Sequence, residues 1–311
     1  MKRDDLPLPA GGAASASADA AWRTLHEAAC APYREASRFA WHFARGKLGR
    51  DPVFRGVLER GDLSAPGNEL RVVDIGCGQG LLASLLDTCS RAAATSLWPG
   101  TWPAAPRTRS YHGIELMPRD VERARQATRA LALAPTFECN DMRRAVLPPC
   151  DLVVILDVLH YVDHAAQSAL LVRVRDALLR GQAERAAGLQ STANEANAAG
   201  LANAAGLANA AGLANAASAT GGSARAATPA PARLLMRVGD AARPRGFAMS
   251  QWVDRTVALV RGHQVPPTWG RSLAQWVALL QDIGFRVQSV PMSRGTPFAN
   301  VLLVADAAGP A

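Results

Sequence analysis

The chain has few aromatic residues, 5% of its 311, and almost no lysine. Lys2 and Lys47 are the only two, so arginine carries the positive charge. The net charge of +8 contains no Lys/Arg run and has few interleaved aromatics, and a dense electrostatic footprint for RNA or DNA is therefore excluded. More than half of the excess lies in residues 233–311, spread as single arginines such as Arg243, Arg255 and Arg271. Such a pattern suits, at most, a docking face for an acidic protein such as an acyl carrier protein. Cysteines are five, Cys30, Cys77, Cys89, Cys139 and Cys150, with no C-x-x-C spacing. They argue against a structural zinc site and predict a reduced cytoplasmic setting. No run approaches the ~20 apolar residues that span a bilayer, so no membrane span is expected. After Met1-Lys2-Arg3 come Asp4-Asp5 and an Ala/Gly/Ser stretch with no leucine-rich core, which reads as a flexible tail rather than a signal peptide.

What the chain does have is 49% hydrophobic residues and one informative turn. Val72-Val73-Asp74-Ile75 is an apolar run ending in an acid and a branched residue. Gly76, Gly78 and Gly80 follow at alternate positions around Cys77 and Gln79, and Leu81-Leu82-Ala83-Ser84-Leu85-Leu86 reads as a helix. Strand, tight turn and helix leave bare backbone where a ligand can meet the unpaired N–H groups of a helix N-terminus. A dinucleotide turn reads G-x-G-x-x-G under a pyrophosphate. Here Gly80 comes one residue too early, and Asp74 suits a ligand ammonium better than two phosphates.

Three further segments follow in order. Tyr111-His112-Gly113-Ile114-Glu115 is a second strand ending in an acid, with a helix from Pro118 to Leu131. Phe137 to Met142 is a third strand and its loop. Asp151 to Asp157 is an apolar run typical of a strand buried on both faces, followed by Val158-Leu159-His160-Tyr161.

Together these segments resemble the class I S-adenosylmethionine (SAM)-dependent methyltransferases over about residues 20–90, 110–180 and 232–305. The resemblance implies an α/β Rossmann-like fold, with a seven-stranded mostly parallel sheet, an antiparallel last strand and an N-terminal helical cap. It implies SAM as cofactor, cradled by Asp74, Gly76, Cys77, Gly78 and Gly80. Glu115 would hold the ribose hydroxyls beside Leu116, Asp141 would accept the adenine amino group, Met142 would pack on the ring, and Asp157 would lie at the fourth motif. Asp141 and Asp157 also have a plainer reading as helix caps. His160 is the expected general base, with Tyr161 and Asp240 next in order, although a histidine here can equally hydrogen-bond its own loop. His160 and His164 have H-x-x-x-H spacing without the zincin glutamate, and the Asp-Asn pair of the metal-dependent catechol enzymes is missing, so no metal is expected. Arg237-Val238-Gly239-Asp240, Gln251-Trp252-Val253-Asp254 and Gly295 to Asn300 resemble methyltransferases of bacterial aryl-polyene or related pigment pathways. That closer likeness implies secondary metabolism and a small-molecule acceptor, phenolic or aryl-polyene, free or on an acyl carrier protein. A non-catalytic SAM-binding partner subunit and an NAD(P)-dependent reductase are the rival readings.

The expected organisation is a disordered tail over 1–17, a helical cap over 18–66, and a cofactor-binding domain over 67–311. Two segments interrupt that domain: a loop at 90–109, rich in Pro and holding Trp98 and Trp102, and a low-complexity insertion at 182–231. The insertion repeats Ala-Ala-Gly-Leu-Ala-Asn three times from residue 198 and is expected to be largely disordered. In the cap, Pro32 predicts a kink or two helices, the second opening at Pro32, with a shorter helix over Asp51 to Glu59. Beyond the insertion, the pattern predicts a strand over Arg233 to Gly239, a helix over Ser250 to Val260, a capping box at Ser272 opening a helix that Gly284 stops, and strands over Phe285 to Val290 and Ala299 to Val304.

Overall fold

The structure is a computed structural model and describes residues 11–65, 67–95, 97–210, 232–243, 268–292 and 299–308. The expected helix at 250–260 and most of the loop before the last strand lie outside these residues.

Strands form where apolar residues run without interruption. They are β1 (Leu70–Ile75), β2 (Thr108–Glu115), β3 (Thr136–Cys139), β4 (Leu152–Leu156), β5 (Arg233–Gly239), β6 (Phe285–Pro291) and β7 (Asn300–Ala307), in the order β3-β2-β1-β4-β5-β7-β6. The first five are mutually parallel, and β7 runs antiparallel to both β5 and β6. This is the expected α/β Rossmann-like sheet, in the order of the class I methyltransferase fold. Successive side chains point to opposite faces, so Val72, Leu152, Val154 and Leu235 enter one core while Val73, Ile75, Val153, Ile155, Leu234 and Met236 enter the other.

The first core is covered by α5 (Leu81–Ala94), whose run from Leu81 to Cys89 is buried throughout, by α6 (Pro118–Thr128), and by four N-terminal helices. These are α1 (Gly11–Cys30), α2 (Tyr33–Ala36), α3 (Arg38–Arg50) and α4 (Pro52–Glu59). The second core lies under α7 (His164–Ala210) and α8 (Leu273–Ile283), which opens with the Ser272–Gln275 capping box and ends at Gly284.

Several expectations need correction. Pro32 does separate two helices, but the chain breaks again at Ser37, which is extended and whose hydroxyl accepts the Ala40 N–H at 3.0 Å, so the cap gains a third element, α3. The expected tail is helical from Gly11, as a continuation of the helix that runs to Cys30. The alanine-rich repeat does the same: α7 continues to Ala210, across much of the expected disordered insertion, and residues 211–231 lie outside the described set. The start of the insertion is also bonded to the core. Arg185 pairs with Asp151 at 2.6 Å and donates to Glu69 O, while Glu184 pairs with Arg71 at 2.5 Å. The loop expected at 90–109 is shortened by α5, which runs to Ala94, and by β2, which begins at Thr108. Its tryptophans anchor it: Trp98 donates to Pro103 O at 2.8 Å and packs edge-on to Trp102.

Candidate cofactor turn and active site

The three glycines of the turn do different work. All have positive φ, +76° at Gly76, +55° at Gly78 and +73° at Gly80, a region open to glycine at little cost. A Cβ on Gly76 would lie 2.5 Å from Val158, and one on Gly80 would lie 2.9 Å from the Phe137 ring. Those two positions are closed by packing. A Cβ on Gly78 would meet nothing within 4 Å, so the backbone there borders open space at the start of α5.

Glu115 reaches this turn from the end of β2. Its Oε2 accepts the Gly78 N–H at 2.9 Å and its Oε1 accepts the Met117 N–H at 2.9 Å. Burial pushes the carboxyl above its ordinary range against the pull of those N–H groups. Leu116 beside it is 59% exposed. Asp74 is buried beneath the turn and accepts the Tyr111 hydroxyl at 2.5 Å. Burial pushes its carboxyl up to about 7, the Tyr111 bond opposes the rise, and the charge of Glu115 adds to it. Burial likewise raises the Cys77 thiol. The cap grips the turn from above: buried Tyr33 donates to Gln79 O at 2.9 Å, and the Gln79 amide donates to Asp120 at 3.2 Å. The Gln79 Oε1 is buried and accepts no hydrogen bond among the described residues.

The other proposed cofactor residues are more heavily engaged. Both Asp141 oxygens are taken by the Arg143 side chain, Oδ2 at 2.5 Å and Oδ1 at 3.0 Å, and that hydrogen bonding holds the carboxyl below its usual range. Met142 is partly buried in the second core, with its carbonyl held by Arg173. Asp157 follows β4 with φ +60°, an uncommon value for a side-chain-bearing residue. It belongs to an ion network in which Arg237 of β5, 1% exposed, bonds both Asp157 and Asp51. Lys47 lies 2.7 Å from Asp51 and 3.6 Å from Asp157. Burial alone would raise the Asp51 and Asp157 carboxyls, but Arg237 and Lys47 outweigh it and hold both down. The network ties the cap to the strand ends, because Asp51 also caps α4 through the Val53 N–H at 3.1 Å.

His160 and Tyr161 sit in a 3-10 turn after β4, their rings 4.1 Å apart. Gln167, fully buried in α7, fixes that turn. Its amide donates to Leu159 O, Val162 O and Trp269 O, and its oxygen accepts from Arg271 at 2.8 Å. The Trp269 N–H donates to His160 O at 2.8 Å. Asp240 is buried at the exit of β5, its Oδ1 accepting the Ala242 and Leu273 N–H groups at 3.0 Å, so it links that exit to α8. His164 turns to Trp269 and Gly270 O, away from shared ligation with His160. Among the described residues no group of three His, Cys, Asp or Glu side chains is arranged to hold a metal.

The parallel sheet thus brings the glycine turn, Glu115, Asp157, His160 and Asp240 to the carboxyl ends of β1, β2, β4 and β5, where open α/β sheets bind ligands. Sequence reasoning missed Tyr111, Asp51, Lys47, Arg237 and Gln167. One signal was available, a lone arginine inside the apolar run Leu234-Leu235-Met236-Arg237-Val238.

No family model matches the chain, and no curated protein matches it. Solved structures do share its outline at low identity. One is magnesium protoporphyrin IX methyltransferase from Synechocystis PCC 6803 with bound SAH, at 16% identity and TM-score 0.46, covering 94% of this chain and 100% of that one. An O-methyltransferase family protein from Burkholderia thailandensis matches at 14% and 0.48, covering 89% of this chain and 63% of that one. The N-methyltransferase NodS from Bradyrhizobium japonicum matches at 14% and 0.44, covering 92% and 97%. At these values they are likenesses of outline, and the fold rests on the strand order itself.

Proposed function

We propose that the protein is a SAM-dependent methyltransferase acting on a small molecule. The observation that carries this reading is the turn that is sterically open only at Gly78, with the Glu115 carboxylate on that residue's N–H. The residues fit such a cofactor. Gly78 leaves room against the backbone, Glu115 offers an acceptor pair to vicinal hydroxyls, and Asp74, buried beneath the turn, is the carboxylate proposed to neutralise an ammonium. The bound cofactor would supply an already activated methyl group. The protein's own work is then to orient the acceptor, exclude water and receive its proton. His160, in the turn that Gln167 and the Trp269 N–H fix, is the residue proposed to take that proton from an acceptor hydroxyl, with Tyr161 beside it. Asp240 is committed to backbone N–H groups and so ranks last.

The finer reading is a phenolic or aryl-polyene acceptor in cytoplasmic secondary metabolism, free or carried by an acyl carrier protein. It is supported by the sequence segments around Arg237, Gln251 and Gly295. The test is mass spectrometry for a product heavier by one CH2, with free and carrier-bound phenolic acids offered alongside SAM. His160→Ala should lower kcat by about 10²-fold or more with cofactor affinity unchanged. In a thermal-shift control, S-adenosylhomocysteine should raise the Tm and NADH should not. An equal shift with NADH would return the reading to a reductase.

A further inference from the structure

The outward face of α3 carries an arrangement that cofactor binding does not explain. From Arg38 to Arg50 the helix has no acidic residue, and its apolar stripe of Ala40, Ala44 and Leu48 is completely buried. Arg38, Phe39 and Arg45 are exposed, Trp41 is half-buried against the first core at the edge of that stripe, and Arg34 of α2 joins them. The Arg34 and Arg45 guanidiniums each stand 5.1 Å from the centre of the Trp41 ring. Arg123 of α6 lies 4.8 Å from the ring of Phe39, which is 50% exposed. Arg34, Arg38 and Arg45 are all exposed, and among the described residues no carboxylate lies within 4 Å of any of them.

Stacking on an aromatic ring orients a guanidinium and lowers the entropy lost when it binds an oxyanion. Arg34 and Arg45 are oriented in this way by Trp41, and with Arg38 beside them they make a pre-organised site for several carboxylates in a row. We propose that this face of α2 and α3 docks an acidic helical segment of a partner protein, with carboxylates at i, i+3, i+4 and i+7 meeting Arg34, Arg38 and Arg45, and its apolar edge on Phe39. A lipid surface fits less well, because a membrane-lying helix turns its apolar stripe outward and this one buries it. The face also has a place beside the cofactor turn: α6, which supplies Arg123, begins three residues after Glu115. A partner seated there would lie next to the mouth of the site. The inference does not depend on the methyl-transfer reading.

The test uses the full chain and a fluorescein-labelled 18-residue helical peptide, with glutamates at i, i+3, i+4 and i+7, in fluorescence anisotropy at low salt. The same peptide with lysine at those positions is the control. The glutamate peptide should bind and the lysine peptide should not. Affinity should fall about tenfold or more on raising the salt, and by a similar factor in the triple variant Arg34→Glu, Arg38→Glu, Arg45→Glu. An unchanged far-ultraviolet circular dichroism spectrum and a cooperative thermal transition show that the variant is folded, whatever the cofactor. Equal binding by the wild type and the triple variant would overturn the assignment. So would absence of glutamate-peptide binding, or binding only to vesicles of phosphatidylglycerol and phosphatidylcholine or to a DNA duplex.

Discussion

The Glu115 carboxylate accepts the N–H of Gly78, 37 positions earlier in the chain, at 2.9 Å. The acid that ends β2 is therefore part of the glycine turn at the one glycine facing open space. Glu115→Ala removes the acceptor of two backbone N–H groups and the acceptor pair proposed for ribose. It should weaken S-adenosylhomocysteine binding by about 10- to 100-fold, or roughly 1–3 kcal/mol, in isothermal titration calorimetry. Glu115→Gln, which keeps one acceptor, should fall between. Wild-type affinity in the alanine variant would remove Glu115 from the site.

The glycines should separate stability from binding. Gly76→Ala places a Cβ 2.5 Å from Val158 in a positive-φ backbone and should cost about 3 kcal/mol or more in urea denaturation. Gly78→Ala meets no neighbour and should cost only the backbone strain, about 1 kcal/mol. Gly78→Val should nonetheless abolish the thermal shift from S-adenosylhomocysteine. Adding Val158→Ala should restore part of the stability of Gly76→Ala and none of the binding lost at Gly78.

Asp74 gives a pH dependence of definite sign. Its carboxyl is pushed up to about 7 by burial in the fold, against about 3.9 in the unfolded chain. Between those values the folded state binds the extra proton. The stability from this group is therefore complete below about pH 4 and is lost as pH rises through about 7, on the order of a few kcal/mol. Asp74→Asn should flatten that fall in denaturation curves taken from pH 4 to 8. A ligand ammonium favours the ionised carboxylate, so wild-type cofactor affinity should climb towards pH 7 and then level off. A steady affinity across that range would separate Asp74 from the ligand.

Arg237 is the centre of the opposite case. Its charge holds Asp51 and Asp157 below their ordinary range, so their contribution is present above the unfolded carboxylate pKa and is lost as pH falls. Arg237→Met leaves both carboxylates without their main partner and should cost about 3–5 kcal/mol at pH 7. In acid the gap between variant and wild type should shrink. Adding Asp51→Asn to Arg237→Met should recover part of the loss, as a double-mutant cycle would measure. Additive losses would show that the two side chains are not coupled.

The sequence by itself determined the run of elements and the glycine turn. Both are local: an apolar run makes a buried strand, and alternate glycines before a helix make a turn with φ > 0. Periodicity also placed the capping box at Ser272 and the stop at Gly284, since caps are set by neighbours a few residues away. It failed where composition misled. The alanine-rich stretches at 11–17 and 182–210 have too little apolar surface for a core of their own, yet they continue helices begun elsewhere, and extending a formed helix needs no new nucleus. Only the tertiary structure decided which partner each acid takes. Asp141, Asp157 and Asp240 look alike as acids after strands, but Arg143, Arg237 and the Ala242 and Leu273 N–H groups claim them, while Glu115 turns to Gly78. Asp51, Arg237 and Asp157 are separated by 186 and 80 positions from one another along the chain. Their pairing follows from parallel strand order and the seat of the helical cap, because a charge removed from water takes whichever opposite charge the fold brings within reach.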